Sequence, residues 1–279
     1  MPKKAKIIIG ILIFLLLAAF ALYYFIFRLE RVTIYNGTYE DAMEESAAAE
    51  YWGTCNVAGI NLHGNLVTYV TDDEYNFNEA SAEEIYAMLD FAEETEQIKA
   101  IVLEIDSYGG SPVASEEIAN KIKSMKKPVI AVIREGGASG AYWVASAADY
   151  IFASELSDIG SIGVTMSYLD ESKLNIKEGY TWNNLSTGIF KDAGNSDKPL
   201  TAEERAIFER DIKIVFDKFK AEVAKNRGLS LEEVEALADG STMLGRQALE
   251  AGLIDGIGYL EEAEDYIASK YDIETDVCW

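Results

Sequence analysis

The chain has 279 residues, 49% of them apolar, which allows one large domain or two small ones with a sizeable core. Acidic residues outnumber basic ones by 48 to 24, which argues against a nucleic-acid partner, because phosphates attract lysine and arginine. A single histidine, His63, argues against sites built from several histidines, and we expect neither a metal nor another cofactor. The two cysteines, Cys55 and Cys278, are compatible with one disulfide or with two free thiols.

An uncharged run at residues 7–27 is predicted to cross a membrane. Its 21 residues would extend roughly 31 Å at about 1.5 Å per residue, which matches a hydrocarbon core of about 30 Å. Three lysines precede it, and the positive-inside rule places them in the cytoplasm. We therefore expect a single-pass protein of the cell membrane with the rest of the chain on the extracytoplasmic side. A cleaved signal peptide is the alternative, but no small-residue cleavage pattern precedes Arg28.

Composition divides the chain into three parts. Residues 1–28 contain the cytoplasmic N-terminus and the anchor, residues 29–54 form an acidic, alanine-rich linker or stalk, and residues 55–279 form one folded domain. Within the domain, residues 56–66 are predicted to form a strand that ends near a turn at Gly64. We interpret His63, a lone histidine on this strand, as structural.

Next come a helix and then two copies of a strand, glycine turn and helix. Ser81 and Glu84 have the spacing of a capping box for the first helix. The strand at residues 100–105 leads into a Gly109-Gly110 turn and a helix with Pro112 at its start. The strand at residues 129–133 is predicted to break at Gly136-Gly137 before another helix. This βαβα order predicts a parallel sheet with both turns at neighbouring carboxyl ends of strands.

The C-terminal half continues the α/β pattern. We predict short strands or extended pieces at 150–153, 158–165 and 240–244, an irregular segment at 180–200, and helices that begin near 202, 231, 245 and 260. Capping boxes at Thr201-x-x-Glu204 and Ser230-x-x-Glu233 mark the start of two of these helices.

Ser139 follows the second glycine turn and is the candidate nucleophile. At a helix N-terminus its hydroxyl would lie beside free backbone N–H groups, although a serine there can equally be a simple N-cap. Neither glycine turn has the pattern of a P-loop or of a dinucleotide-binding loop. A Gly-x-Ser-x-Gly elbow needs a later histidine, and none follows residue 63.

A serine without histidine needs a lysine as base, and the lysine must lose its proton in an apolar environment. Lys191, in Gly-Ile-Phe-Lys-Asp, fits best. The residues alone leave three rivals open, Lys173, Lys177 and Lys198. The pair Ser124-x-x-Lys127 has the spacing of a β-lactamase motif, but it lies at the solvated end of a helix and is discounted.

A family resemblance connects these motifs. The succession AIVLEIDSYGGS, GASGAY, GSIGV, GIFKD and LADGSTMLGRQALEAGLIDGIG closely resembles signal peptide peptidase A (SppA), the membrane-anchored Ser/Lys proteases of the ClpP/crotonase fold. The resemblance covers roughly residues 55–270. It implies an α/β fold of repeated β-β-α units with a parallel sheet.

The resemblance also implies roles for individual residues. Ser139 would be the nucleophile, Lys191 its general base and Ser161 the residue that orients the lysine. The oxyanion hole would use the N–H groups of Gly140 and of a glycine in the first turn, most simply Gly110. The family usually has proline where this chain has Tyr108, which could change the rigidity of the turn or a substrate subsite.

The implied activity is degradation of cleaved signal peptides and other hydrophobic or unfolded peptides through an acyl-enzyme. The implied assembly is a ring of identical chains, in which serine and lysine can come from adjacent subunits, held to lipid by the N-terminal helix. A crotonase-like acyl-CoA enzyme and a non-catalytic membrane scaffold of the same fold are the alternatives.

Overall fold

The computed structural model describes residues 55–70 and 78–279. The predicted membrane span and linker, within residues 1–54, lie outside the described residues. Among the helices that are described, none is long and apolar enough to cross a membrane.

The described residues form an α/β structure. Its strands are β1 (Val57–His63), β2 (Asn65–Val67), β3 (Glu79–Ser81), β4 (Ala100–Ser107), β5 (Val129–Ala138), β6 (Tyr150–Ala153), β7 (Asp158–Gly160), β8 (Thr242–Leu244), β9 (Gly256–Ile257) and β10 (Val277–Cys278). Its helices are α1 (Ala82–Glu94), α2 (Pro112–Ser124), α3 (Gly140–Ser146), α4 (Ser172–Glu178), α5 (Ala202–Arg227), α6 (Leu231–Leu237), α7 (Gly245–Glu250) and α8 (Leu260–Tyr271).

The main sheet is mostly parallel, as predicted. Its strand order is β10-β1-β4-β5-β6-β9, and each neighbouring pair in this order runs parallel. The central strands β4 and β5 carry continuous buried runs, Ala100–Leu103 and Val129–Ile133. Such runs are typical of strands covered on both faces, so the sheet is the centre of the core.

The end of β5 differs from the prediction. Gly136 and Gly137 do not break this strand; they lie within it and pair in parallel with Asp158 and Ile159 of β7. The first half of β5 pairs with β6, and the second half changes partner to β7. Glycine weakens the interior of a strand, but here the ladder with β7 and the packing around it outweigh that preference. The strand therefore continues to Ala138 and delivers the chain directly to Ser139.

The predicted helix starts are confirmed. Ser111 caps α2 ahead of Pro112, and complete capping boxes begin α5 at Thr201 and α6 at Ser230. At Ser81 only half of the box forms, because the serine oxygen accepts from the Glu84 N–H without a reciprocal bond.

Cys55 and Cys278 form a disulfide, which settles the alternatives left by the sequence. The bond lies where β10 pairs in parallel with β1, with Ala58 opposite Cys278. It closes a loop across 223 positions of the chain and fixes the edge strand of the sheet.

The C-terminal end of α5 is fixed to the sheet by a partly buried ion pair. Arg227 donates to both carboxylate oxygens of Asp255, at 2.9 and 2.7 Å, and its Nε donates to the Gly252 carbonyl. Asp255 also accepts from the Ile151 N–H in β6. Burial lowers the pKa of Arg227, but the bonds to Asp255 raise it by more. The net effect is a raised pKa, so the guanidinium stays charged.

Replacing Arg227 with alanine is expected to lower the free energy of unfolding by about 2–3 kcal/mol. Breaking a buried pair costs about 3–5 kcal/mol, and Asp255, 29% exposed, keeps some contact with water. Urea unfolding followed by circular dichroism measures the change. Arg205→Ala is the control, since Arg205 pairs with Glu209 on the surface and should contribute less than about 1 kcal/mol. Equal losses in both variants would contradict the anchoring role.

Candidate active site

A cavity of about 860 Å³ opens at the carboxyl ends of β4 and β5. It contains Ser139, Gly140, Ser161 and the turn Tyr108–Gly110. The sheet topology explains why the Tyr108–Gly110 turn lies beside Ser139. Because β4 and β5 are parallel neighbours, the segments that follow them emerge side by side. Four of the five predicted site residues, Ser139, Ser161, Gly110 and Gly140, therefore share one cavity.

Ser139 joins β5 to α3 in an unusual conformation. Its φ of 52° and ψ of −124° are rarely adopted by a residue with a side chain, and they mark a sharp strand-to-helix turn. Its N–H donates to the Gly160 carbonyl at 2.8 Å, and its carbonyl accepts from the Trp143 N–H at 3.0 Å. Its side chain makes no capping bond to the helix. The simple N-cap interpretation is therefore wrong, and the half-buried hydroxyl lies in the cavity.

The Gly109-Gly110 turn lies directly against this serine. A Cβ at Gly109 would be 2.6 Å from the Gly140 nitrogen and 3.0 Å from the Ser139 Cβ, so only glycine fits there. A Cβ at Gly140 would be 3.4 Å from the Gly110 nitrogen. The Gly140 N–H begins α3 and has no acceptor within that helix. The amides of the two turns are thus close to each other and to the nucleophile candidate.

Ser161 lines the same cavity and directly follows Gly160, whose carbonyl accepts from the Ser139 N–H. Its hydroxyl donates to the Gly240 carbonyl at 2.9 Å, and its N–H donates to the Ser241 carbonyl. Because its one proton is used, the Ser161 oxygen can only accept from a further group, such as an amine.

Lys191 is not among the residues of this cavity; it is exposed, in the irregular segment before α5. Asp192 accepts instead from Trp182 and from Asn195, and within the described ranges no ion pair involves Lys191. Of the rival lysines, Lys198 is paired with Glu204. The structure of one chain thus separates the predicted base from the predicted nucleophile.

The segment that carries Lys191 has an apolar surface. Large side chains are exposed along it at Met166, Tyr168, Leu169, Leu174, Ile176, Tyr180, Trp182, Leu185, Ile189 and Phe190. Ten large apolar or aromatic side chains are thus exposed within residues 166–190.

One wall of the cavity was missed by the sequence analysis. Ile212, Val215, Phe216 and Phe219 of α5 line it, and the Phe219 ring stacks on Trp143 with centroids 5.1 Å apart. The apolar spacing of this helix was visible in the sequence, but it could not indicate which cavity the helix would face. The wall supplies an apolar surface beside Ser139.

Tyr108 lies at another edge of the cavity. Its ring packs over Gly136, where a Cβ would be 2.9 Å from it, and its hydroxyl bonds to Asp158 at 3.3 Å. Partial desolvation and the negative charge of Asp158 raise the pKa of the phenol. Tyr108 therefore bridges β4 and β7 as a neutral side chain.

The two discounted groups lie outside this cavity. His63 is 3.0 Å from the Glu104 carboxylate, which also binds Arg134, in agreement with a structural role. The Lys127 amine donates to the carbonyls of Ala92 and Thr95, and burial lowers its pKa. Its amine is therefore engaged in closing the end of α1.

Comparisons with known proteins identify the family of the chain. Profiles of peptidase family S49 and of Clp protease match residues 121–274 and 72–158. The chain is 32% identical to an Enterococcus faecium protein provisionally named signal peptide peptidase SppA, over 83% of this chain and 67% of that one. It is 34% identical to protease 4 of Haemophilus influenzae, over 74% of this chain and 33% of the relative. It is also 34% identical to the chloroplastic serine protease SPPA of Arabidopsis thaliana, over 69% and 29%.

The chain thus spans two thirds of the Enterococcus protein but only about a third of the other two. The S49 match covers more than half of the chain and includes Ser139, Ser161 and Lys191. With its Clp protease-like α/β fold, the chain belongs to peptidase family S49 and is a serine protease of the SppA type.

Proposed function

We propose that Ser139 is the nucleophile of a Ser/Lys dyad, with Lys191 as general base, Ser161 as the residue that orients the lysine, and Gly110 and Gly140 as oxyanion donors. The observation that carries the proposal is the convergence of Ser139, Ser161 and the two glycine turns in one cavity. The strained backbone of Ser139 adds support, since such conformations cluster at functional sites.

The reaction is acyl transfer. Neutral Lys191 takes the proton of the Ser139 hydroxyl as Oγ attacks the peptide carbonyl carbon. The carbonyl oxygen becomes an oxyanion, which the N–H groups of Gly110 and Gly140 stabilise. The C–N bond then breaks, and Lys191 returns the proton to the leaving amine. Lys191 takes a proton from water as that water attacks the resulting ester. The ester C–O bond then breaks, the acid is released, and Lys191 returns the proton to Ser139 Oγ.

We further propose that Lys191 enters the cavity of an adjacent copy in a ring of identical chains. The exposed lysine, its apolar segment and a cavity with Ser139 and Ser161 but without Lys191 favour this arrangement. Entry into a neighbouring cavity would also remove water from the amine, which favours the neutral form that a base requires. A head-to-tail contact of this kind forms a ring when the rotation from one copy to the next closes on itself.

The proposed substrates are cleaved signal peptides and other hydrophobic or unfolded peptides. The apolar wall from α5 beside Ser139 suits such chains. The name of the Enterococcus relative points the same way.

The proposed location is the cell membrane. The anchor is residues 1–28, with the N-terminus cytoplasmic and in contact with lipid, and residues 29–54 link it to an extracytoplasmic protease domain, residues 55–279. The Cys55–Cys278 disulfide supports this side, since disulfides persist in oxidising compartments.

Gly109→Ala is expected to reduce kcat by about 10²-fold or more, the effect of losing one oxyanion donor. The new methyl group would lie 2.6 Å from the Gly140 nitrogen, where the oxyanion must bind. Steady-state kinetics on a fluorogenic peptide measure the change. Gly228→Ala is the control, because that glycine also has positive φ but no atom within 4 Å of its Cβ position. Similar kcat values for both variants would contradict the assignment.

The proposal is tested by treating the full chain with a fluorophosphonate and locating the label by mass spectrometry. We expect one adduct, on Ser139, together with cleavage of a signal-peptide library. Absence of both in assembled protein would favour the non-catalytic scaffold. Tight binding of coenzyme A without peptide cleavage would favour the acyl-CoA alternative.

A further inference from the structure

Ser107, the last residue of β4, is a buried polar side chain that the reaction above does not use. It is 1% exposed, and its hydroxyl makes two hydrogen bonds. Oγ donates to the Gly64 carbonyl at 2.6 Å and accepts from the Gly109 N–H at 3.1 Å. One hydroxyl thus connects the turn after β1 to the glycine turn after β4.

The second bond decides which amide of the glycine turn is available. Since the Gly109 N–H is used by Ser107, it cannot also serve an oxyanion. The adjacent bridge to β2 is made by Leu66, whose N–H donates to the Gly109 carbonyl and whose carbonyl accepts from the Ser111 N–H. The Gly110 N–H takes no part in this bridge. Gly110 is therefore the member of the turn whose amide can face the cavity.

The backbone also fixes the direction of that amide. The Gly109 carbonyl accepts from the Leu66 N–H at 2.9 Å, so it points toward β2. In a trans peptide the C=O and the following N–H point in opposite directions. The Gly110 N–H must therefore point away from β2, on the side where the Gly140 turn lies.

We propose that Ser107 is a positioning residue for the oxyanion hole. The Ser107 hydroxyl holds the N–H of Gly109, and the Leu66 N–H holds its carbonyl. The Gly109–Gly110 peptide therefore cannot rotate, and the Gly110 N–H stays directed at the reacting carbonyl. The inference rests on the proposed function, because it requires Ser139 to be the nucleophile.

Ser107→Ala is expected to lower kcat for a fluorogenic peptide about tenfold or more, part of the ~10²–10³-fold effect of one oxyanion donor, with little change in KM. A tripeptide ending in leucinal gives a second readout, because its adduct with Ser139 places an oxygen anion in the hole. The same tripeptide ending in leucinol binds without that adduct. The affinity for the leucinal peptide relative to the leucinol peptide should therefore fall about tenfold or more in Ser107→Ala. The largest expected fall is the effect of losing one oxyanion donor completely.

Ser146→Ala is the matched control. Ser146 is also fully buried, its hydroxyl donates to the Trp143 carbonyl, and it lies outside the cavity. It should lose thermal stability as Ser107→Ala does, with kcat and the leucinal preference unchanged. If Ser107→Ala does not fold, Ser107→Cys keeps a hydrogen-bonding group on the same carbon but replaces the hydroxyl with a larger thiol, which is a weaker donor and acceptor. It should show the same loss in smaller degree.

Two results separate the inference from the function it rests on. If the wild-type chain reacts with a fluorophosphonate at Ser139 but Ser107→Ala keeps the wild-type kcat and leucinal preference, only the positioning role is wrong. If the wild-type chain shows neither reaction at Ser139 nor cleavage, the proposed function and this inference fall together.

Discussion

Ser139→Ala is expected to reduce peptide hydrolysis by about 10⁴-fold or more, while the fold and the assembly remain. Removing a serine nucleophile has effects of this size, because the oxyanion donors alone leave only a small residual rate. The Ser139 hydroxyl makes no capping bond, so its loss should cost little stability. Initial rates on a fluorogenic peptide, with the melting temperature of the same sample, test this expectation.

Ser124→Ala is the matched control for that variant. Ser124 precedes Lys127 by three positions, as in a Ser/Lys motif, but its hydroxyl donates to the Lys121 carbonyl and it lies outside the cavity. Hydrolysis should be unchanged. Loss of activity in Ser124→Ala together with survival in Ser139→Ala would transfer the nucleophile to the other serine.

Lys191→Ala is expected to abolish hydrolysis to a similar extent, and a mixture with Ser139→Ala should restore part of it. In a mixed ring, a chain with the Lys191→Ala change still carries Ser139, and an adjacent chain with the Ser139→Ala change still carries Lys191. Random assembly at equal amounts would make about one quarter of the sites complete, given head-to-tail contacts around the ring. The measurement is hydrolysis after the two inactive variants are dissociated and reassembled together.

Lys177→Ala is the control, because Lys177 is an exposed lysine of the same part of the chain and one of the three rivals. It should keep full activity. Two outcomes would contradict the proposal in different ways. Activity of Lys191→Ala alone would remove Lys191 as the base, and an inactive mixture despite proven exchange of chains would place serine and lysine in the same chain.

Much of the fold was predictable because its signals are local. Buried apolar runs indicated the parallel strands, and capping boxes at Thr201 and Ser230 marked where two helices begin. The break predicted at Gly136-Gly137 was wrong because the pairing of these glycines with β7 is a contact between distant parts of the chain. The cysteine pairing was undetermined for the same reason, since it follows from β10 lying beside β1.

The candidate site was predictable where parallel strands bring its parts together. Ser139 and the Gly109-Gly110 turn follow neighbouring strands, so the sequence could place them side by side. Lys191 lies in a segment without regular structure, and its position beside a serine depends, under the proposal, on a second copy. The sequence did not indicate a role for Ser107, because that role depends on the two backbone groups that its buried hydroxyl joins.

The turn at Ser139 has a consequence for control of the protease. Its unusual backbone is held on both sides, by Gly160 and by Trp143, so the proposed nucleophile is already in position before a partner or a substrate arrives. If the base comes from a neighbouring copy, a newly made single chain is an inactive enzyme. It would hold its serine in the reactive position but lack the lysine that accepts the proton. Activation would then need neither a propeptide nor a conformational trigger. The local concentration of chains would set the degree of activation, and dilution would inactivate the enzyme by separating the copies.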